Sequence, residues 1–363
     1  MGPPAPPRIL MTADAVGGVW DYALELARGL AAAGVSTAMA VTGDPPDTTK
    51  RAAAMSIPGL ILDAAPFKLE WMADPDDDLR RTGDWLLELE RRLRPALIHV
   101  NGYAHAALPF RAPVLCVAHS CVLSWWRAVH GTDPPPAWRR YAERVADGLR
   151  LADRVVAPTR AMLDALETHY GPIPRGTVIH NGRDPAGRAD ADKRHLFLAA
   201  GRLWDEAKNI AAVDAIAARV PWPVFVAGDT GGPDGNHTPL AHACPLGRLA
   251  TDEMRDWYGQ AAVFVHPARY EPFGLAPLEA ALAGCALVLG DIPSLRELWD
   301  GAADFVPPGD TTALGDALRR LAADSDRCSH LGAAARERAG RYSAGRMVRA
   351  YLDLYADMAG LGT

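Results

Sequence analysis

At 363 residues the chain is longer than one hydrophobic core usually serves, so two domains are expected. A formal net charge of -6 lacks the concentrated basic face that nucleic-acid recognition demands. Five scattered cysteines (Cys116, Cys121, Cys244, Cys285, Cys328) show no CxxC spacing, which excludes a disulfide framework or a zinc site and reads as reduced thiols in a cytoplasmic protein. No run of 18 apolar residues is present to span a bilayer. The opening "MGPPAPPRIL" carries proline where a signal peptide needs an apolar helix, so it is expected to be a disordered lead-in.

The first half alternates strands and helices. "RILMTADA" reads as a strand, "VGGVW" as a glycine turn and "DYALELARGLAAAG" as a helix, with Ala23, Leu26, Ala27 and Leu30 on its buried face and Gly34 as its stop. "VSTAMAVTG", "ALIHVNG", "PVLCVAHS" and "DRVVAPT" are further strands, and "DDDLRRTGDWLLELERRLRP" is a long helix. The proline-rich "GTDPPPAW" reads as a loop. At "YGPIPRGTVIHNGRD" glycines and prolines break regular structure and mark a domain boundary.

The second half starts the same grammar afresh. "RHLFLAAGRL", "PVFVAGD", "AVFVHPA", "ALVLGD" and "ADFVPPGD" are strands; "NIAAVDAIAARV", with Asn209 as N-cap, "ATDEMRDWYGQ" and "GLAPLEAALAG" are helices. "TTALGDALRRLAAD" and "ERAGRYSAGRMVRAYLDLYADMAG" are also helical. Two successive α/β patterns predict two doubly wound domains. They are expected over 1–178 and 179–344, with a C-terminal helix over 345–363 packing back on the N-terminal domain.

In "RYEPFGLAPLEAALAG", Pro272, Phe273 and Gly274 put Glu271 on a loop, while the alanine-rich run puts Glu279 in the helix that Leu275 begins. A helix N-terminus favours an anion, and flanking carboxylates accept hydrogen bonds from hydroxyls. A ligand that is both anionic and rich in hydroxyls is a sugar nucleotide. "AAGRLWDEAKN" adds Arg202 and Lys208, a guanidinium fork and a point charge suited to a diphosphate without a metal. Gly228 ends a strand where backbone can approach a base or ribose, Gly17 and Gly18 form the first strand-to-helix turn, and His119 ends "PVLCVAHS". The plainer reading makes the two glutamates a solvated helix start and a surface acid. A glycosidase pair fits poorly, because such carboxyls stand roughly 5 to 9.5 Å apart, whereas eight residues of helix rise about 12 Å.

These motifs, "VAHS", "VVAPT", "VIHNGRD", "AAGRL", "VFVAGD", "EPFGLAPLEAALAG" and "VPPGD" among them, resemble the retaining glycosyltransferases of family 4 from about Arg8 to the final helix. The resemblance implies the GT-B architecture, two facing Rossmann-like domains with a cleft between them, and transfer of a sugar from a nucleotide-diphosphate sugar, a UDP-sugar favoured, to a hydroxyl acceptor. No further cofactor and no metal are implied. It assigns donor-sugar hydroxyls to Glu271, ribose to Glu279, phosphates to Arg202 and Lys208, and a place near the donor sugar to His119. Gly17, Gly18, Gly228, Phe273, Gly274 and Leu275 fall on the donor-binding stretches.

Two positions depart from the family pattern. Arg183 stands where a small apolar residue is usual, and "IPSLREL" lacks the paired glycines often found after "ALVLGD". Acceptor recognition is expected in the N-terminal domain, where Trp20, Trp125 and Trp126 offer aromatic faces. Between Arg111 and Arg175 nine Lys or Arg face six Asp or Glu, too small an excess to define a membrane-docking face. The expected location is cytoplasmic, with peripheral contact at the inner face of the membrane left open and the oligomeric state unassigned. A sugar-nucleotide epimerase or a phosphorylase is the rival enzyme class. Beyond the midpoint, however, the lysines are Lys193 and Lys208, which leaves no obvious lysine for a pyridoxal Schiff base. A non-catalytic sugar-nucleotide sensor is a third reading, and it has no need of Glu271, Arg202 and Lys208 together.

Overall fold

The computed structural model describes residues 7–15, 17–185, 193–231 and 238–360. The lead-in up to residue 6 and Val16 of the glycine turn lie outside the described residues. In chain order the elements begin β1 (Arg8–Asp14), α1 (Gly18–Ala32), β2 (Ser36–Thr42), α2 (Thr48–Met55), β3 (Ile61–Ala64), α3 (Asp76–Leu93), β4 (Leu97–Val100) and β5 (Val114–Val117). They continue α4 (Val122–His130), α5 (Arg139–Leu151), β6 (Arg154–Ala157), α6 (Arg160–Tyr170) and β7 (Gly176–Val178). The second set runs β8 (Arg194–Ala200), α7 (Ile210–Ala217), β9 (Val224–Ala227), β10 (Cys244–Gly247), α8 (Thr251–Gln260), β11 (Ala261–His266) and α9 (Leu275–Leu282). It closes with β12 (Ala286–Gly290), α10 (Pro293–Trp299), β13 (Asp304–Val306), α11 (Thr311–Ala323), α12 (Ser325–Ala339) and α13 (Ala344–Ala359).

Two compact units divide the chain. Unit 1 comprises Met1–Trp126, Thr132–Gly182 and Ala344–Thr363, and unit 2 comprises Arg127–Gly131 and Arg183–Ser343. Unit 1 carries a sheet of order β3-β2-β1-β4-β5-β6-β7 and unit 2 one of order β10-β9-β8-β11-β12-β13. Every strand pair is parallel. Strands covered on both faces must be apolar throughout, and β2, β4, β5, β11 and β12 are buried along their whole length. The strand order reverses between β1 and β4 in unit 1 and between β8 and β11 in unit 2. Such switch points open a crevice at the carboxyl ends of the strands, where ligands bind in open α/β sheets.

Helix α1 buries Ala23, Leu26, Ala27 and Leu30, and Gly34 follows it at φ +79. The last helix, α13, belongs to unit 1. A Cβ on Gly29 of α1 would come within 2.2 Å of Val348, so glycine is what lets the two helices approach. Tyr351 and Tyr355 of α13 are fully buried. Among the described residues no helix is long and apolar enough to cross a membrane.

The structure corrects several element readings. "YGPIPRGTVIHNGRD" contains a short edge strand, β7, paired with β6, so its prolines end before Gly176 rather than emptying the segment of structure. The helical reading of "ERAGRYSAGRMVR" is interrupted at 340–343. There Tyr342 packs on Phe273 and Trp299, while its backbone carbonyl accepts the Arg183 N–H. "GTDPPPAW" ends in a 3-10 turn, Pro136–Trp138. Asn209 stands at the N-cap of α7 but its side chain does not cap. With φ +55, it instead donates from Nδ2 to the Pro267 and Pro308 carbonyls, tying together the loops after β11 and β13.

Candidate active site

In unit 2 the chemistry gathers at the β8/β11 switch point. The loop after β8 carries Arg202, Asp205 and Lys208, and the loop after β11 carries Glu271. Lys208 Nζ lies 2.7 Å from Glu271 Oε2, and His266 Nε2, at the end of β11, lies 3.0 Å from the same oxygen. The pair is largely enclosed, with side chains 19% and 12% exposed. Burial pushes the Glu271 carboxyl up, but the Lys208 ammonium and the His266 contact outweigh it and hold the group well below the usual carboxylate range. Glu271 is therefore an anion whose charge is already matched. Ser294 Oγ at the start of α10 donates to the Glu271 carbonyl at 2.5 Å, which fixes the loop from behind.

Arg202 is arranged differently. Its guanidinium donates to Asp205 at 2.6 Å and sits over the Trp204 ring, with its side chain 42% exposed. Its Nε has no hydrogen-bond partner among the described residues. Both predicted cations are thus held in ion pairs on the loop after β8, Lys208 largely enclosed and Arg202 42% exposed. Glu271 and Glu279 fall, as the spacing predicts, on the loop and inside α9. Glu279 is half-buried and accepts from Arg183 Nε at 3.1 Å. Arg183, the unusual residue of "HNGRD", is therefore neither in solvent nor idle: its side chain is only 14% exposed.

Three donor-side positions have structural reasons of their own. Phe273 is 3% exposed and belongs to the core against Tyr342, so its ring offers no face to a ligand. Gly228 is glycine for an internal reason: at φ +147 a Cβ would lie 1.8 Å from the Gly201 carbonyl oxygen, just past the paired ends of β8 and β9. Gly274 adopts φ +91 as the N-cap of α9, with Glu271 Cγ 3.2 Å from where a Cβ would sit. Leu275, the first residue of α9, is half-buried.

At the switch point of unit 1 a run of neutral groups stands beside two charged ones, Lys50, which donates to the Ala15 carbonyl, and Glu70, which accepts from the Tyr103 and Ala104 N–H groups. Gly17 is the N-cap of α1 and Gly18, exposed, its first residue. His119, two residues beyond β5, is half-buried with Nε2 2.8 Å from Asn101 Oδ1. His99 Nε2 lies 3.1 Å from that same oxygen, and His99 Nδ1 is 2.6 Å from the Tyr355 hydroxyl of α13. Burial pushes His119 down to about 3, and burial with the neighbouring His119 takes His99 to about 3. Trp20, expected to meet an acceptor, is 3% exposed and part of the core, because its place on α1 turns it inward. Trp125 and Trp126 are half-buried on α4 with ring centroids 6.4 Å apart.

Sequence reasoning missed His266, Asp205, Asn101, His99 and Tyr355. The histidine of "VFVHPA" and the asparagine of "HVNG" each close a strand at its carboxyl end, a signal that could have found both. Among the described residues no group of three or more His, Cys, Asp or Glu is placed to hold a metal.

Residues 16–186 match the model of Glycosyltransferase Family 4, and residues 194–324 match that of Glycosyl transferases group 1. The chain is 29% identical over 404 residues to the D-inositol 3-phosphate glycosyltransferase of Streptomyces bingchenggensis, covering 95% of this chain and 86% of that protein. It is 28% identical over 285 residues to the glycogen synthase of Mycobacterium tuberculosis, covering 69% and 66% of the two. Among solved structures, sucrose-phosphate synthase from Thermosynechococcus elongatus superposes with a TM-score of 0.79 at 18% identity, covering 98% of this chain and 100% of that one. Anabaena HepE in complex with UDP and glucose superposes with a TM-score of 0.75 at 15% identity, covering 96% and 99%.

Proposed function

The chain belongs to glycosyltransferase family 4, with its GT-B fold, and from that premise we propose that it is a retaining glycosyltransferase using a nucleoside-diphosphate sugar. The observation that carries this reading is the Lys208–Glu271 pair at the β8/β11 switch point. A carboxylate kept ionised beside an ammonium offers both things the donor needs: an acceptor for sugar hydroxyls and a positive charge for the diphosphate. The UDP and glucose bound by Anabaena HepE favour a uridine diphosphate donor.

In the proposed reaction the acceptor oxygen bonds to the anomeric carbon on the face from which the diphosphate departs. The bond from that carbon to the phosphate oxygen breaks, its electron pair stays on the diphosphate, and the acceptor proton passes to the same leaving group. Charge therefore grows on phosphate oxygens, where Arg202 and Lys208 supply the compensating positive charge that other enzymes draw from a metal. Glu271 and Glu279 hold hydroxyls of the sugar and the ribose and transfer no proton. Acceptor recognition is assigned to unit 1, with Trp125 and Trp126 as aromatic contacts for a sugar ring or flat aglycone.

The test is a thermal-shift panel of uridine, guanosine, adenosine and thymidine diphosphate sugars, run with magnesium and with EDTA, followed by NMR of the product's anomeric proton. A concentration-dependent rise in Tm with a uridine donor, unchanged by EDTA, and a product of the donor's own anomeric configuration are expected. No shift with any nucleotide at millimolar concentration, or an inverted product, overturns the reading.

A further inference from the structure

The β1/β4 switch point of unit 1 holds a hydrogen-bond chain whose polarity can be deduced atom by atom. Asn101 stands immediately after β4 and is tied to β1 twice: its backbone N–H donates to Thr12 Oγ1 at 2.8 Å, and its Nδ2 donates to the Thr12 carbonyl at 2.6 Å. A carbonyl oxygen only accepts, so the Asn101 amide must turn its nitrogen to Thr12 and its Oδ1 away. Two imidazole nitrogens converge on that oxygen, His119 Nε2 at 2.8 Å and His99 Nε2 at 3.1 Å. Oδ1 also only accepts, so both Nε2 atoms carry hydrogen, and the Tyr22 hydroxyl, 3.4 Å from His99 Nε2, is the longer, second acceptor there. A neutral imidazole has one N–H, which makes each Nδ1 a bare lone pair. His99 spends its lone pair on the Tyr355 hydroxyl of α13, which donates to it at 2.6 Å.

His119 Nδ1 has no such use. It has no hydrogen-bond partner among the described residues, on a side chain that is only half-buried. Its ring is held edge-on by Tyr22, with centroids 4.5 Å apart, so the imidazole is pinned on two sides. Burial keeps both rings neutral.

We propose that Asn101 is a positioning residue that locks His119 in the Nε2–H tautomer, so that Nδ1 accepts a hydrogen bond from a substrate hydroxyl, while Tyr355 holds His99 in the matching state behind it. A lone pair on a neutral ring attracts an O–H and repels a phosphate oxygen. His119 therefore selects for the hydroxylated part of a substrate and against its anionic part. This rests on the glycosyltransferase reading only for the substrate; the tautomer stands on the hydrogen bonds alone.

The two parts are tested separately. Long-range proton–nitrogen NMR on protein labelled at histidine nitrogens, with His119→Asn to assign the signals, reads the tautomer without any substrate. Wild-type protein is expected to show His119 as a single Nε2–H species from pH 6 to 8, and Asn101→Leu to release it into a mixture. An Nδ1–H species or an imidazolium in the wild type overturns the proposal even where the Leu variant fails to fold, and so does an unchanged tautomer in a folded Asn101→Leu protein. The functional arm compares two replacements. Asn at 119 puts an acceptor oxygen near the place of Nδ1, whereas Gln at 119 preserves the donor to Asn101 and loses the acceptor. His119→Asn is expected to keep about 10-fold more kcat/KM than His119→Gln, the worth of one hydrogen bond. The reverse order overturns the role given to Nδ1. A wild-type protein that transfers no sugar from any donor defeats the glycosyltransferase reading instead, and the NMR arm then still decides the part played by Asn101.

Discussion

Unit 1 and unit 2 reach their switch points by the same strand reversal, β1 beside β4 and β8 beside β11, but line them with different chemistry. Unit 2 uses charges in pairs: Lys208 with Glu271, Arg202 with Asp205 and Arg183 with Glu279. Unit 1 keeps its charges, Lys50 and Glu70, on backbone groups of the two loops and runs neutral side chains in series: Tyr355, His99, Asn101 and His119. The sheet supplies a crevice in both cases, and the side chains at the strand ends decide what it can hold. Paired charges keep a carboxylate ionised inside the fold. A neutral chain instead sets donor and acceptor directions, which is how hydroxyls are told apart. Topology fixes the place of a site, then, and leaves its polarity open.

The sharpest way to break the comparison is to remove one member of a charge pair. Lys208→Ala should lower kcat by about 10² to 10³, the usual loss for a preorganised electrostatic partner. It should also cost about 2 to 3 kcal/mol in urea unfolding, because a largely enclosed Glu271 is left with His266 alone. Arg202→Ala should lower kcat as far, yet cost less in stability, about 1 kcal/mol, since the guanidinium is 42% exposed and the Asp205 it leaves keeps the Ala207 N–H bond. Equal stability losses in the two variants would remove the distinction between an enclosed and an outward cation.

Gly228→Ala comes next. The new Cβ meets the Gly201 carbonyl, which belongs to backbone and cannot rotate away, so a loss of about 3 kcal/mol in unfolding free energy is expected. A variant that folds normally but binds nucleotide poorly would restore the ligand-approach role read from the sequence.

Acidification should separate the units by smaller steps. His99 and His119 have folded values near 3, below the ordinary histidine value near 6.5, so the unfolded chain binds their protons first. Their contribution is present above about pH 6.5 and fades as pH falls toward 3, with a limiting slope of about 1.4 kcal/mol per pH unit for each histidine. The depressed Glu271 contributes above the ordinary carboxyl range and is lost only as pH falls below it. Hydrogen exchange resolved by segment should therefore show unit 1 loosening between pH 6.5 and 5 while unit 2 holds. A uniform response would mean that the histidines are already charged in the fold.

Much of the architecture was legible because parallel strands leave unbroken apolar runs that polar ends punctuate. Glu271 and Glu279 could be placed on loop and helix for a local reason, the Pro272-Phe273-Gly274 turn ahead of an alanine-rich stretch. What stayed hidden depends on partners remote in sequence. Tyr355 meets His99 across 256 positions, and Arg183 meets Glu279 across 96. "HNGRD" flags Arg183 as unusual and says nothing of the carboxylate it serves. Trp20 turns to the core instead of an acceptor because an aromatic residue beside a glycine turn looks the same in sequence whether it faces ligand or core.

The position of α13 has a consequence in time. Its Tyr351 and Tyr355 are buried in unit 1, whose other elements end at Gly182, so the ribosome must complete all of unit 2 before unit 1 receives its last helix. At ~5–20 residues per second that interval is roughly 10 to 30 s. For that period the nascent unit 1 exposes the groove beside Gly29, and the segment made second is the first able to finish folding.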